Sequence, residues 1–313
     1  MSAGASTDAT GVPRPTDGPR LPAWIRTRPP EGARYVSLKA TLETLRLGTV
    51  CREARCPNLP ECWSAGTATV MLLGTACTRR CGFCAVETRW PRGRVDADEP
   101  ERVAAAVAAS GLRYVVLTQV CRDDLPDGGA AHLARTIEAI RARDPAIRVE
   151  LLIGDLAGSE DSLRTVLGAR PDVLAHNVET VRRLTARVRD RRARYEGSLS
   201  VLARAKEIGG PGCVTKSSIM LGLGETDEEV EAVLGDLRRA GVDLLTLGQY
   251  LRPSPGHLPV VRFVPPDEFA RWAERARAIG FAGVAAGPLV RSSYRADELY
   301  SAARLLSAGT GGV

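Results

Sequence analysis

The stretch "TVMLLGTACTRRCGFC", residues 69–84, runs an apolar segment into three cysteines spaced C-x3-C-x2-C. Its opening "TVMLLG" (69–74) has the length and unbroken apolar character of a buried strand. Cys77, Cys81 and Cys84 begin three residues beyond that strand. A structural zinc ion is closed by four ligands. Three thiolates on a 4Fe–4S cube instead leave one iron open to a substrate atom, whereas a closed cluster only moves electrons.

The rest of the chain decides where these cysteines stand. Further apolar runs repeat the character of the first strand: "YVVLTQ" (114–119), "RVELLI" (148–153), "DVLAHN" (172–177), "VTKSSIML" (214–221), "DLLTLGQY" (243–250) and, as a candidate last strand, "FAGVAA" (281–286). Helix signals lie between them. Thr226 is an N-cap with Glu229 three residues on, Gly241 stops that helix, and Pro266 and Gly280 bracket another. Strand and helix alternating about six times is the pattern of parallel βα units, in a barrel or a doubly wound sheet. Both architectures gather chemistry at the carboxyl ends of their strands, which puts the cysteines at that mouth.

The chain fits this scale. Its 313 residues, 44% hydrophobic and 26% charged, can bury one large core. No apolar run approaches the roughly 18 residues that cross a bilayer, and the start of the chain lacks the basic and apolar regions of a secretory signal. The expected setting is cytoplasmic with no membrane partner, where thiols stay reduced and the eight cysteines read as ligands rather than disulfides. A formal charge of +6 permits an anionic partner, but 4% aromatic residues and no stacking motif argue against nucleic acid. Residues 1–34, with "GVPRPTDGPRLPAW", read as a disordered or draped arm.

A second triplet precedes the first. In "VCREARCPNLPECW" (50–63), Cys51, Cys56 and Cys62 are spaced C-x4-C-x5-C, too irregular for one helix face and suited to a loop wrapped around something compact. Six of the eight cysteines therefore lie within residues 51–84. Two open iron–sulfur cubes is one reading, and one or two zinc sites pooling the thiolates is the other.

With both triplets in view, the chain resembles the radical S-adenosylmethionine (SAM) enzymes, and within them the lipoyl synthase family. The segments "RDDLPDGGA", "TKSSIMLGLGETDEEV", "LTLGQYLRPS", "HLPVVRFVPPDEF" and "GPLVRSSYRADE" carry the likeness across most of residues 35–298. The resemblance implies an α/β fold, a partial (βα)6-type radical SAM barrel over residues 67–286. It adds an N-terminal extension (35–66) with an auxiliary cluster loop and a C-terminal tail (287–313) with the "RSSY" motif. Cys77, Cys81 and Cys84 would hold a 4Fe–4S cluster whose open iron chelates SAM, and an electron delivered there would give methionine and a 5′-deoxyadenosyl radical. Cys51, Cys56 and Cys62 would hold a second 4Fe–4S cluster that donates sulfur to carbons six and eight of a protein-bound octanoyl chain. Such C–H bonds carry no acidic proton for a side chain to remove, so a cofactor must do the hard step.

The same resemblance implies further site residues. A serine oxygen of "RSSY", from Ser292 or Ser293, would complete the auxiliary cluster as a harder and more easily displaced ligand than thiolate. The bland reading of that pair is a strand end and helix cap. Thr118 and Gln119 would approach the SAM amino group, Asn177 and Glu179 the ribose, and Arg189 and Lys216 the carboxylate. The family pattern departs at "TQVCRDDL", where Gln119 and Cys121 replace Ser and Asp, at "IGDL" (153–156), usually I-P-D-F, and at Ala175, usually Asn. These departures leave open a paralogue that inserts sulfur into another peptide or small molecule. Cys213 reads as a small buried hydrophobe.

Seven arginines fall between Arg182 and Arg194, the pattern of a solvated helix face or of a surface that steers an acidic carrier. The partners implied are octanoylated lipoyl domains or a glycine-cleavage H-type carrier protein, with a reducing donor such as ferredoxin or flavodoxin. The chain is expected to be monomeric.

Overall fold

The computed structural model describes residues 21–26, 32–54, 56–64, 69–210 and 212–309. Most of the expected arm, residues 1–20 and 27–31, lies outside them. Ten strands are present among the described residues: β1 (Gly48–Thr49), β2 (Thr69–Leu72), β3 (Ala76–Cys77), β4 (Glu87–Thr88), β5 (Tyr114–Gln119), β6 (Arg148–Leu152), β7 (Val173–Ala175), β8 (Val214–Leu221), β9 (Leu244–Gln249) and β10 (Gly283–Gly287). Eight of them form one sheet in the order β1-β2-β5-β6-β7-β8-β9-β10. Every pairing in it is parallel except β1 with β2. The candidate last strand is real, so seven parallel strands rather than six make the partial barrel. β1 adds an antiparallel edge.

The helices fill the crossovers. They are α1 (Ala33–Thr44), α2 (Val50–Glu53), α3 (Leu59–Ser64), α4 (Glu99–Ala109), α5 (Ala130–Arg143), α6 (Glu160–Gly168), α7 (Thr185–Val188), α8 (Tyr195–Gly209), α9 (Asp227–Arg239), α10 (Pro266–Ala278) and α11 (Ala296–Gly309). α9 begins on the expected capping box of Thr226 and Glu229. Pro266 opens α10, and Gly280, at φ 97°, lies just past its end.

The sheet stays open between β10 and the β1–β2 edge, and the tail spans that seam. It passes so close over β9 that a Cβ at Gly248 would sit 2.0 Å from the Val290 carbonyl oxygen, so only glycine fits there. Asn58 donates to the Leu289 carbonyl, and Thr69 Oγ1 donates to Ser293 Oγ at 2.8 Å, tying the tail to the far edge. At the opposite end of the barrel, Leu299 and Ala303 of α11 join Val173 and Leu244 in a small core.

The arginine-rich stretch is not one solvated helix. It breaks across a 3-10 turn, the short α7 and a loop before α8. Arg182 pairs with Glu196 and with Asp236 of α9, and Arg183 pairs with Glu229 of α9 at 2.6 Å. Arg189 and Arg192 turn inward, to Ser198 and to the Thr78 carbonyl. Arg187, Arg191 and Arg194 remain exposed at the surface.

Candidate functional site

A cavity of about 460 Å³ opens at the carboxyl ends of the strands, and all six cysteines of the two triplets line it. Cys77 ends β3, and Cys81 and Cys84 come next on a loop held from several sides. Gly82 N–H donates to Val188 O, Leu258 N–H to Gly82 O, and His257 Nε2 lies 3.1 Å from Cys84 O. Backbone N–H groups of Arg79 and Asp190 point at the Cys77 and Cys81 sulfurs, at 3.4 and 3.3 Å. Such N–H···S contacts stabilise negative charge on sulfur.

Beneath the loop lies a charged network that the cysteine spacing does not announce. The Arg79 guanidinium, 5% exposed, makes paired hydrogen bonds to Asp123 and to Asp155, at 2.6–3.2 Å. Arg192 bridges Asp190 and Asp123, and Asp190 accepts from the Arg80 backbone. Arg79 stands inside the cysteine motif, Asp123 in "RDDL" and Asp155 in "IGDL". Charged residues within such loops were the one sequence signal for this network.

The thiols respond to these surroundings. A hydrogen bond from Cys121, assisted by the Arg79 backbone and charge, draws Cys77 down to about 6 against the pull of burial. Burial pushes Cys81 up to about 11 and Cys84 to about 12, with mutual repulsion among the triplet adding to both. Burial likewise raises Cys62 to about 12, reinforced by Cys51 and Cys56. Each triplet is thus a set of sulfurs close enough to repel as thiolates, the donor set that a cationic cluster satisfies with release of protons. Among the described residues, no three Cys, His, Asp or Glu side chains converge closely enough to hold a single metal ion of any kind.

The second triplet and the tail meet. Cys51 lies on α2 and Cys62 on α3, and Cys56 N–H donates to Cys51 O between them. The Tyr294 hydroxyl donates to Glu61 at 2.9 Å, and the half-buried Arg291 guanidinium faces Cys56. Ser292 and Ser293 line the same cavity as the cysteines.

Of the expected SAM contacts, Thr118, Gln119, Asn177, Glu179 and Arg189 line the cavity. Three of them carry buried polar atoms without a protein partner: Gln119 Oε1, Asn177 Oδ1 and Arg189 Nε. Orphaned polar atoms are uncommon in a folded protein, and here they share one cavity wall, as a polar ligand would require. Glu179 adopts φ 68° while bridging to β8, and burial raises its carboxyl above the usual range. Strained backbone of this kind costs about 1–3 kcal/mol and clusters at functional sites. Lys216 corrects the expectation. It faces the barrel interior below the cavity, 1% exposed, with Nζ 2.8 and 2.9 Å from the Glu150 carboxylate oxygens, and Tyr114 hydroxyl binds the same carboxylate. It is a buried ion pair and does not reach the mouth.

The open parallel sheet with a C-x3-C-x2-C loop at the end of its first parallel strand defines a radical SAM enzyme. The model of the radical SAM superfamily matches residues 71–237, and that of the N-terminal domain of lipoyl synthase matches residues 6–56. Solved structures of the hydrogenase maturase HydG (TM-score 0.55, 15% identity, 81% of this chain and 56% of that one) and of Streptococcus suis SuiB bound to its precursor peptide (0.51, 11%, 77% and 49%) share the fold. Lipoyl synthase of Thermus thermophilus is 58% identical over 93% of this chain and 90% of its own length. Mitochondrial lipoyl synthase of Drosophila melanogaster is 52% identical over 90% and 76%. The chain belongs to the lipoyl synthase family, sulfur-inserting enzymes that work with SAM and 4Fe–4S clusters.

Proposed function

We propose that this chain inserts two sulfur atoms, at carbons six and eight, into the octanoyl group of a lipoyl carrier domain. The observation that carries the reading is that both cysteine triplets and the tail serines line a single cavity at the strand ends. Cys77, Cys81 and Cys84 hold one 4Fe–4S cluster, and Cys51, Cys56 and Cys62, with Ser292 or Ser293, hold the other. When bound, the first supplies the electron that cleaves SAM and the second supplies the sulfur. Thr118, Gln119, Asn177, Glu179 and Arg189 bind and orient SAM, and the apolar cavity wall excludes water from the reacting carbons.

The carrier is an octanoylated lipoyl domain or an H-type protein, electrons come from a ferredoxin- or flavodoxin-type donor, and the chain works as a cytoplasmic monomer. Among the described residues no helix is long and apolar enough to cross a membrane. The paralogue reading is not favoured, because relatives at 52–58% identity over 90% or more of this chain are lipoyl synthases despite the departures at Gln119 and Cys121. The test replaces each triplet by alanine. Without Cys77, Cys81 and Cys84, one cluster remains and SAM is not cleaved. Without Cys51, Cys56 and Cys62, 5′-deoxyadenosine still forms but no sulfur is inserted. Retained SAM cleavage in the first variant, or thiolated product in the second, overturns the assignment.

A further inference from the structure

Immediately beyond the first cysteine triplet the chain leaves the cavity wall at Val86 and forms an exposed loop, "ETRWPRGRV", residues 87–95. Trp90 at its tip is 52% exposed and Val95 37% exposed. Arg89 is paired with Glu87 at 3.1 Å, while Arg92 and Arg94, both exposed, form no ion pair among the described residues.

The loop is rigidly attached to the site. Its first two residues, β4, pair with β3, and Arg89 N–H donates to the Cys77 carbonyl at 2.9 Å. Arg92 and Gly93 take left-handed φ of 58° and 71°, fixing the tip. Gly93 N–H donates to Asp124 at 2.7 Å, and Arg122 donates to the Arg94 carbonyl at 2.8 Å. Arg122 and Asp124 are themselves a pair with side chains only 1% exposed. An indole held in water on so constrained a backbone loses little entropy when covered. Trp and Arg together are the composition of interface hot spots.

We infer that residues 87–95 are the docking surface for the folded carrier domain, with Trp90 as apolar anchor and Arg92 and Arg94 facing acidic side chains on the carrier. This rests on the proposed function. Val86 lines the cavity and Trp90 lies four residues later, so its Cα stands within about 14 Å of that wall. A carrier whose acyl arm enters the cavity has this exposed loop within reach of its surface. The arginine-rich stretch is a poorer dock, since Arg182 and Arg183 are already neutralised by Asp236, Glu196 and Glu229, and its exposed Arg187, Arg191 and Arg194 have no exposed large apolar side chain among them. A small electron donor makes a brief, polar encounter, whereas a carrier held through two sulfur insertions needs an apolar anchor.

The test compares the reconstituted wild-type enzyme with Trp90→Ala and with the double variant Arg92→Glu/Arg94→Glu, using dithionite so that no protein donor takes part. In single-turnover reactions, since each enzyme's cluster sulfur is spent on one product, both variants should raise the apparent KM for an octanoylated lipoyl domain about tenfold with the maximal rate within about twofold, while a short octanoyl-lysine peptide reacts as with wild type. Calorimetric titration with the same domain should show a matching loss of affinity. Unchanged KM and affinity for the domain, or an equal loss on the peptide, overturns the docking surface. If wild type binds the domain and the variants do not, yet no substrate gains sulfur, the docking stands and the proposed reaction fails.

Discussion

Thr69, the first residue of β2, donates a hydrogen bond of 2.8 Å to Ser293, 224 residues further along the chain. The bond joins the edge of the open sheet to the tail that spans its seam, beside Cys51, whose thiol faces the Thr69 backbone. A neutral hydrogen bond of this kind contributes about 1 kcal/mol. Thr69→Val keeps the shape and removes the donor. Faster amide exchange over residues 289–294, with 5′-deoxyadenosine formation intact, is the expected outcome; unchanged exchange would mean that the tail is held elsewhere.

Arg79 should matter to stability as well as to the site. Its guanidinium lies between the Asp123 and Asp155 carboxylates, so removing it leaves the largely buried Asp155 without its cation and Asp123 with Arg192 alone. Breaking a buried ion pair from one side costs about 3–5 kcal/mol. Arg79→Ala is expected to lower the urea midpoint accordingly and to reduce iron bound at the first triplet. Arg79→Lys should rescue little, because an ammonium cannot form two planar forks. Full rescue by lysine would show that charge alone suffices.

His176 sets a pH dependence. Burial, helped by the Arg189 charge, lowers it to about 4, and its ring bonds Ile153 O and Ser198 Oγ while neutral. The unfolded chain takes up that proton near pH 6.5, the folded chain only near 4, so the contribution is full above 6.5 and is lost as pH falls between them. From pH 7 to 5 the loss is about 2 kcal/mol. Urea unfolding at both values should show that difference shrinking in His176→Gln. An equal pH effect in the variant would place the titration in another group.

The strand pattern and the two cysteine triplets were legible because period and spacing are local properties of the sequence. Lys216 was not. Alternation along β8 tells that it faces inward with Ser218 and Met220, but depth in the barrel depends on β6, two strands away across β7, where Glu150 waits. The arginine run likewise looked like one surface until α9 supplied partners for Arg182 and Arg183. The meeting of "RSSY" with residues 51–62 needed the sheet to remain open, which no stretch of sequence states by itself.

The central claim is sulfur insertion by a site built from both triplets. The direct measurement is anaerobic incubation of the reconstituted protein with an octanoylated lipoyl domain, SAM and dithionite, then intact mass of the domain. The account predicts a product with carbon–sulfur bonds in place of two carbon–hydrogen bonds, heavier by two sulfur atoms as the dithiol, formed with 5′-deoxyadenosine. SAM cleavage with the domain's mass unchanged would contradict it.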